Sequence, residues 1–140
     1  MYKIVQIPIP LIPVLYDQIF SQLREAIDRS DGTATIESVY NRAVNGDIWI
    51  YTATKGHEII MVYTLEIIVF ESGKRVLSMP FVGGTDMAET KDIIMDSMIS
   101  IAKQYGCVEL RGMSVRKGWL KAVHGWESVH EVIKYKIGDF

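Results

Sequence analysis

Three histidines, one cysteine and a basic, tryptophan-bearing C-terminal stretch are the residues whose types could carry chemistry on their own. A metal centre needs ligands brought together, usually at short paired spacings. His57, His124 and His130 have no partner three or four positions away, and Cys107 is the lone cysteine, so no metal site is expected. Cys107 has no neighbouring base either, and it reads as a small apolar residue opening a buried strand. From Arg111 to Lys136 there are six cations (Arg111, Arg116, Lys117, Lys121, Lys134, Lys136) against Glu127 and Glu131, a local balance of +4. Trp119 and Trp126 lie among them, a pattern that can stack bases and hold phosphates. The whole chain, however, carries 15 basic and 17 acidic residues and a net charge of −2. The expectation is therefore that the tryptophans pack, the cations stay solvated, and nucleic acid is not the partner.

These residues must be positioned by a packed domain. At 140 residues, 49% hydrophobic and 23% charged, the chain reads as one globular domain spanning residues 1–140. A single cysteine excludes a fold built on internal disulfides. No stretch approaches the roughly 18 apolar residues of a membrane span. The apolar N-terminus, Ile4 to Phe20, is interrupted by Pro8, Pro10 and Pro13 and followed by no small-residue cleavage site. No secretory signal is expected, which points to a reducing, cytoplasm-like compartment or a particle assembled there.

The element pattern is readable along the chain. Ile4 to Ile7 forms a short strand stopped by the prolines, and Val14 to Arg29 repeats Leu15, Ile19, Leu23, Ala26 and Ile27 at helical spacing. Thr35 is placed to cap a second helix through Val39, Tyr40, Ala43 and Val44, stopped at Asn45-Gly46. Three strands follow, Ile48 to Thr54, Ile59 to Phe70 and Val76 to Val82. Their short connections demand an antiparallel meander. After Gly83-Gly84 the period returns to helical from about Ala88 to Tyr105, with acids at the start and Gly106 as the stop. Cys107 to Met113 reads as a strand, Val115 to His124 as a short helix, and Val129 to Ile137 as a final strand. The helix between Phe81 and Met113 has the length of a crossover, so the strands it joins should be parallel neighbours. The fold class is α+β, order βααβββαβαβ, a mixed and mostly antiparallel sheet with helices on both faces. The glycine pair by itself reads as the turn from strand to helix.

That order, with Gly46-Asp47 entering the second strand, Gly83-Gly84 before the long helix and Arg116-Lys117-Gly118-Trp119 opening the short one, resembles the GNAT superfamily of acyl-CoA-dependent N-acyltransferases over nearly the whole chain. Gly118-Trp119 together with Ala102 and Gly106-Cys107 is most similar to the small GNAT-like proteins of tailed, especially short-tailed, bacteriophages. The resemblance implies acetyl-CoA or CoA as ligand, with the pyrophosphate on the backbone N–H groups of Val82, Gly83, Gly84 and Thr85. In the family a Gln or Arg stands three positions before the first motif glycine; here none does, and Asp86 brings a negative charge instead. The family also supplies a base for the amine, often a carboxylate of the central strands, and an acid for the thiolate, often a Tyr of the penultimate helix. Val76 to Val82 contains no carboxylate and Val115 to His124 no Tyr. Glu66 and Glu109 remain as candidate bases, and His124 as candidate proton donor.

Two expectations follow, in this order. The first is a phage protein that keeps the GNAT scaffold with a degenerate acyl-CoA site and acts through its surface. It would be a virion component or a binder of a phage structural or host protein, located in the virion or the host cytoplasm. The second is an active N-acetyltransferase with an atypical site. Self-association into a homo-oligomer is compatible with either, and a membrane is expected in neither.

Overall fold

The computed structural model describes residues 1–112, 125–130 and 132–138. Among them six strands form one sheet: β1 (Tyr2–Gln6), β2 (Trp49–Lys55), β3 (Glu58–Val69), β4 (Arg75–Met79), β5 (Val82–Gly84) and β6 (Glu109–Gly112). The order across the sheet is β1-β2-β3-β4-β6, and β5 pairs with β3 beyond the end of β4. The meander is antiparallel, and β4 and β6 are parallel, with Val76 opposite Glu109 and Met79 opposite Gly112. The parallel pair is made possible by the crossover helix that joins β5 to β6.

Among the described residues three helices cover this sheet: α1 (Tyr16–Asp28), α2 (Ile36–Val44) and α3 (Met87–Gln104). Alternation along the strands divides the apolar residues into two layers. Ile48, Ile50, Val62 and Phe81 pack with Ile19, Phe20, Leu23, Val39 and Ala43 on the α1–α2 face. Ala53, Met61, Tyr63, Leu65, Leu77 and Met79 pack with Ile94, Met98 and Ala102 of α3 on the other. Helices therefore lie on both faces. The prolines of the N-terminal segment end β1 and give a single 3-10 turn over Ile9–Leu11 before α1. Thr35 caps α2 as its position predicts: its Oγ1 accepts from Ser38 N–H at 3.0 Å, and Ser38 Oγ accepts from Thr35 N–H at 2.9 Å.

The structure departs from the sequence reading in three places. The single strand expected over Val76 to Val82 is two, broken at Pro80-Phe81. Glu66 faces Ser78 but Tyr63 faces Val82, so one extra residue sits on the outer strand. Pro80 has no N–H to contribute, and Phe81 N–H bonds the side-chain Oγ1 of Thr64 at 3.2 Å; together these mark a bulge. Gly83-Gly84 is no turn: it belongs to β5 and pairs with Val62 and Met61. The final strand expected over Val129 to Ile137 is absent from the described residues there, 129–130 and 132–137. A strand needs a paired edge and a covered face, and Val132, Ile133, Tyr135 and Ile137 have no cover. The helix expected over Val115 to His124 lies outside the described residues.

Candidate functional site

The sheet opens where β5 leaves β4. Parallel pairing of β4 with β6 ends at Met79 and Gly112, and among the described residues β5 pairs only with β3. Thr64 N–H donates to Phe81 O at 2.9 Å and Thr85 N–H to Ile60 O at 3.0 Å. In an antiparallel ladder the residues between such pairs point their N–H and C=O the other way. Val82 and Gly84 occupy those positions, so their backbone donors and acceptors line the side of β5 that faces β6. Among the described residues this is an open strand edge.

Packing explains the glycines. A Cβ on Gly83 would overlap the carbonyl oxygen of Gln22, because α1 lies directly on the strand there. A Cβ on Gly84 would overlap the Ile60 carbonyl, and Gly84 has φ +128°, which side-chain-bearing residues rarely adopt. The pair lets α1 and β3 clamp β5 from two sides, while among the described residues nothing pairs with its remaining edge.

Immediately beyond, Asp86 precedes α3 in a left-handed conformation (φ 61°) and makes no side-chain cap. Its carboxylate instead accepts a 2.7 Å hydrogen bond from the hydroxyl of Tyr2 on β1. That bond pushes the Tyr2 phenol up to about 12. Glu89 and Thr90 N–H both turn to the Asp86 carbonyl, which leaves those of Met87 and Ala88 as the open donors of the α3 N-terminus. The negative charge foreseen near a pyrophosphate is thus tied sideways to Tyr2, although Glu89 remains in the first turn.

The candidate acid–base residues are dispersed. Glu66, on β3, lies one face position beyond Thr64, and its mostly buried carboxylate forms an ion pair with Arg42 of α2. Glu109, on β6, accepts from Lys74 Nζ at 2.6 Å and from Arg111 Nε at 2.9 Å. The Lys74 hydrogen bond first, then that of Arg111, holds its carboxyl below the usual range. It stands three residues before Gly112, about 10 Å along the strand from the opening. His124 lies outside the described residues. The structure brings Val82, Gly83, Gly84 and Thr85 together and does not gather Glu66 and Glu109 beside them.

A polar groove of about 700 Å³ flanks the glycine pair, between Gln18, Ser21 and Gln22 of α1 and Lys55, His57 and Glu58 of the β2–β3 hairpin. Sequence reasoning missed its α1 residues; their only signal was position on the polar side of an amphipathic helix. Of the basic C-terminal stretch, Arg111 lies on Glu109 and Lys134 Nζ bonds Asp31 at 2.9 and 3.0 Å. Trp126 packs against the α3-side core. Among the described residues no three His, Cys, Asp or Glu side chains are placed to hold a metal ion. No helix among them is long and apolar enough to cross a membrane.

The chain has the fold of GNAT acetyltransferases. A predicted acetyltransferase from Clostridium acetobutylicum, solved with acetyl-CoA, superposes with a TM-score of 0.68 at 14% identity, covering 98% of this chain and 97% of that one. The ribosomal-protein-alanine N-acetyltransferase of Brucella melitensis biovar Abortus 2308 gives 0.63 at 10% identity, covering 97% and 100%. An aminoglycoside acetyltransferase from an uncultured soil metagenomic sample, in complex with sisomicin, gives 0.62 at 14%, covering 96% and 97%. No protein-family model matches the sequence, and no curated protein matches it.

Proposed function

We propose that this chain binds acyl-CoA in the opening between β5 and β6 and is an N-acyltransferase that works chiefly through its backbone. The observation that carries the proposal is the free edge of β5 at Val82 and Gly84. A pantetheine arm carries two amides, and an open strand edge recognises an extended amide chain by the same hydrogen bonds that add a strand. Acyl-CoA would supply an activated acyl thioester. Val82 and Gly84 would hold it by their outward backbone groups, Gly83 and Thr85 being turned to β3, with the open donors of Met87 and Ala88 favouring an anionic group nearby. Of the two candidate bases, Glu66 lies on the strand that pairs with β5, and it would accept an ammonium proton through water only after parting from Arg42.

A second reading is favoured by the ion pairs on Glu66 and Glu109, which leave neither carboxylate free as a base. In that reading the scaffold binds a protein partner, a phage structural or host protein, and any acyl-CoA binding is vestigial. The phage resemblance supports it on sequence alone, since Gly118-Trp119 lies outside the described residues.

The test pairs thermal unfolding with a thiol-release assay. Acetyl-CoA at a hundredfold excess over its dissociation constant should stabilise the fold by about 2.7 kcal/mol. An amine panel should then release CoA thiol, and Glu66→Gln should slow release without abolishing binding. Stabilisation without release under any amine supports the second reading. No stabilisation at saturating acetyl-CoA rejects the first.

A further inference from the structure

Ser78, on β4, is fully buried, and among the described residues its Oγ has no hydrogen-bond partner. A buried hydroxyl left unpaired costs stability, and an apolar side chain such as that of Val76, one face position away, would fill the place without that cost. In register Ser78 stands between Glu66 of β3 and Arg111 of β6. Directly paired residues share a sheet face, so the three form one row on the α1–α2 face. It is the last such row before the opening beyond Met79 and Gly112.

Both neighbours turn away from the hydroxyl, Glu66 to Arg42 and Arg111 to Glu109. Side-chain exposure falls from 43% at Arg42 to 16% at Glu66, and Ser78 behind them has none. A solute therefore meets the Arg42–Glu66 ion pair before it meets Ser78. Opposed strand residues hold their Cβ atoms about 5 Å apart, so a group seated between the Glu66 carboxylate and the Ser78 hydroxyl reaches both. A carboxylate beside a hydroxyl selects a cation with N–H donors, and an ammonium has three. A bare cation does not suit surroundings in which Arg42, Arg111 and Lys74 stand against Glu66 and Glu109. A ligand with its own carboxylate does, because it replaces Glu66 on Arg42 and leaves no guanidinium unpaired. Arg42 and Glu66 are in contact, so the two charges of the ligand must lie side by side, as they do across the single carbon of an α-amino acid.

We propose that Glu66, Ser78 and Arg42 form a binding site for a free α-amino acid. Its ammonium sits between the Glu66 carboxylate and the Ser78 hydroxyl, and its carboxylate takes the place of Glu66 on Arg42. Calling this ligand the acceptor amine rests on the acyl-transfer reading; the binding itself does not.

Calorimetric titration with a panel of L-amino acids and glycine, run with and without CoA, tests it. The expected result is saturable binding of at least one amino acid, with its carboxamide derivative at least about tenfold weaker. Ser78→Ala should weaken that binding at least about fivefold while its urea midpoint stays level or rises, since an unpartnered hydroxyl has been removed. Glu66→Gln, which keeps the side-chain volume, should weaken it as well. No binding by any amino acid in either condition, equal binding of acid and carboxamide, or undiminished binding by Ser78→Ala or Glu66→Gln would each overturn the proposal. So would a lowered urea midpoint in Ser78→Ala, which would mean that the hydroxyl already has a partner. Amino-acid binding without CoA binding would sink the acyl-transfer reading alone, and CoA binding without amino-acid binding would sink this one alone.

Discussion

β5 and β6 flank the same opening, and they present opposite kinds of chemistry. β5 is Val-Gly-Gly, with no reactive side chain, yet its backbone edge toward β6 is open. β6 carries Glu109 and Arg111, but these bond each other, with Lys74 completing the network, and Arg111 lies 5.2 Å over the Phe70 ring. Among the described residues of these two strands, what is free is main chain, and what could titrate is already paired. The difference teaches that ligand recognition here is to be sought in strand geometry before it is sought in catalytic side chains.

The largest expected effect would break the β5 side of the comparison. Gly83→Ala forces a methyl group into the Gln22 carbonyl, and overpacking of this kind costs about 3 kcal/mol, read as a fall in the urea midpoint. Unchanged stability would show that α1 does not clamp the strand. The next effect concerns Tyr63, opposite Val82, whose phenol burial pushes up to about 12 while its hydroxyl meets Ser97 Oγ at 2.9 Å. The unfolded chain ionises near pH 10, so the stabilisation is complete below that and is lost as pH rises toward 12. Alkaline titration should remove on the order of 2 kcal/mol in that window, and Tyr63→Phe should shrink the loss; Tyr2 keeps part of it.

Smaller effects sharpen the contrast. Val82→Pro deletes an outward N–H while sparing the β3 ladder, so CoA affinity should fall by about 1 kcal/mol, while stability falls by what the loss of the buried Val82 side chain costs, as in Val82→Ala. A loss of stability well beyond that of Val82→Ala would place that N–H in the ladder. Thr35→Ala should cost about 1 kcal/mol because it opens the α2 capping box, whereas Asp86→Asn, at an uncapped helix start, should stay within about 0.5 kcal/mol. On the β6 side, the folded carboxyl of Glu109 is depressed, so what it contributes is present above the ordinary carboxylate range and lost as pH falls through its folded value. Glu109→Gln should therefore lower neutral stability slightly and make the loss of stability on acidification slightly shallower.

Local signals made much of this legible from sequence. Thr35 announced α2 through its own side chain, and the length of the apolar repeat in α3 forced the parallel pairing of β4 with β6. What was hidden depends on contacts between distant residues. The bulge at Pro80 is completed by Thr64, the glycines answer to Gln22 and Ile60, and Glu66 is closed off by Arg42. None of these partners is a sequence neighbour. The alternation from Ile133 to Ile137 was visible too, but alternation states only that a strand is possible, and pairing needs an edge that sequence does not locate.

The most direct measurement is calorimetric titration of the wild-type chain and Val82→Pro with CoA. Saturable binding by the wild type, weakened several-fold by the proline, is what an open β5 edge predicts. Saturable binding that the proline leaves unaltered, or no heat at millimolar CoA, would contradict it.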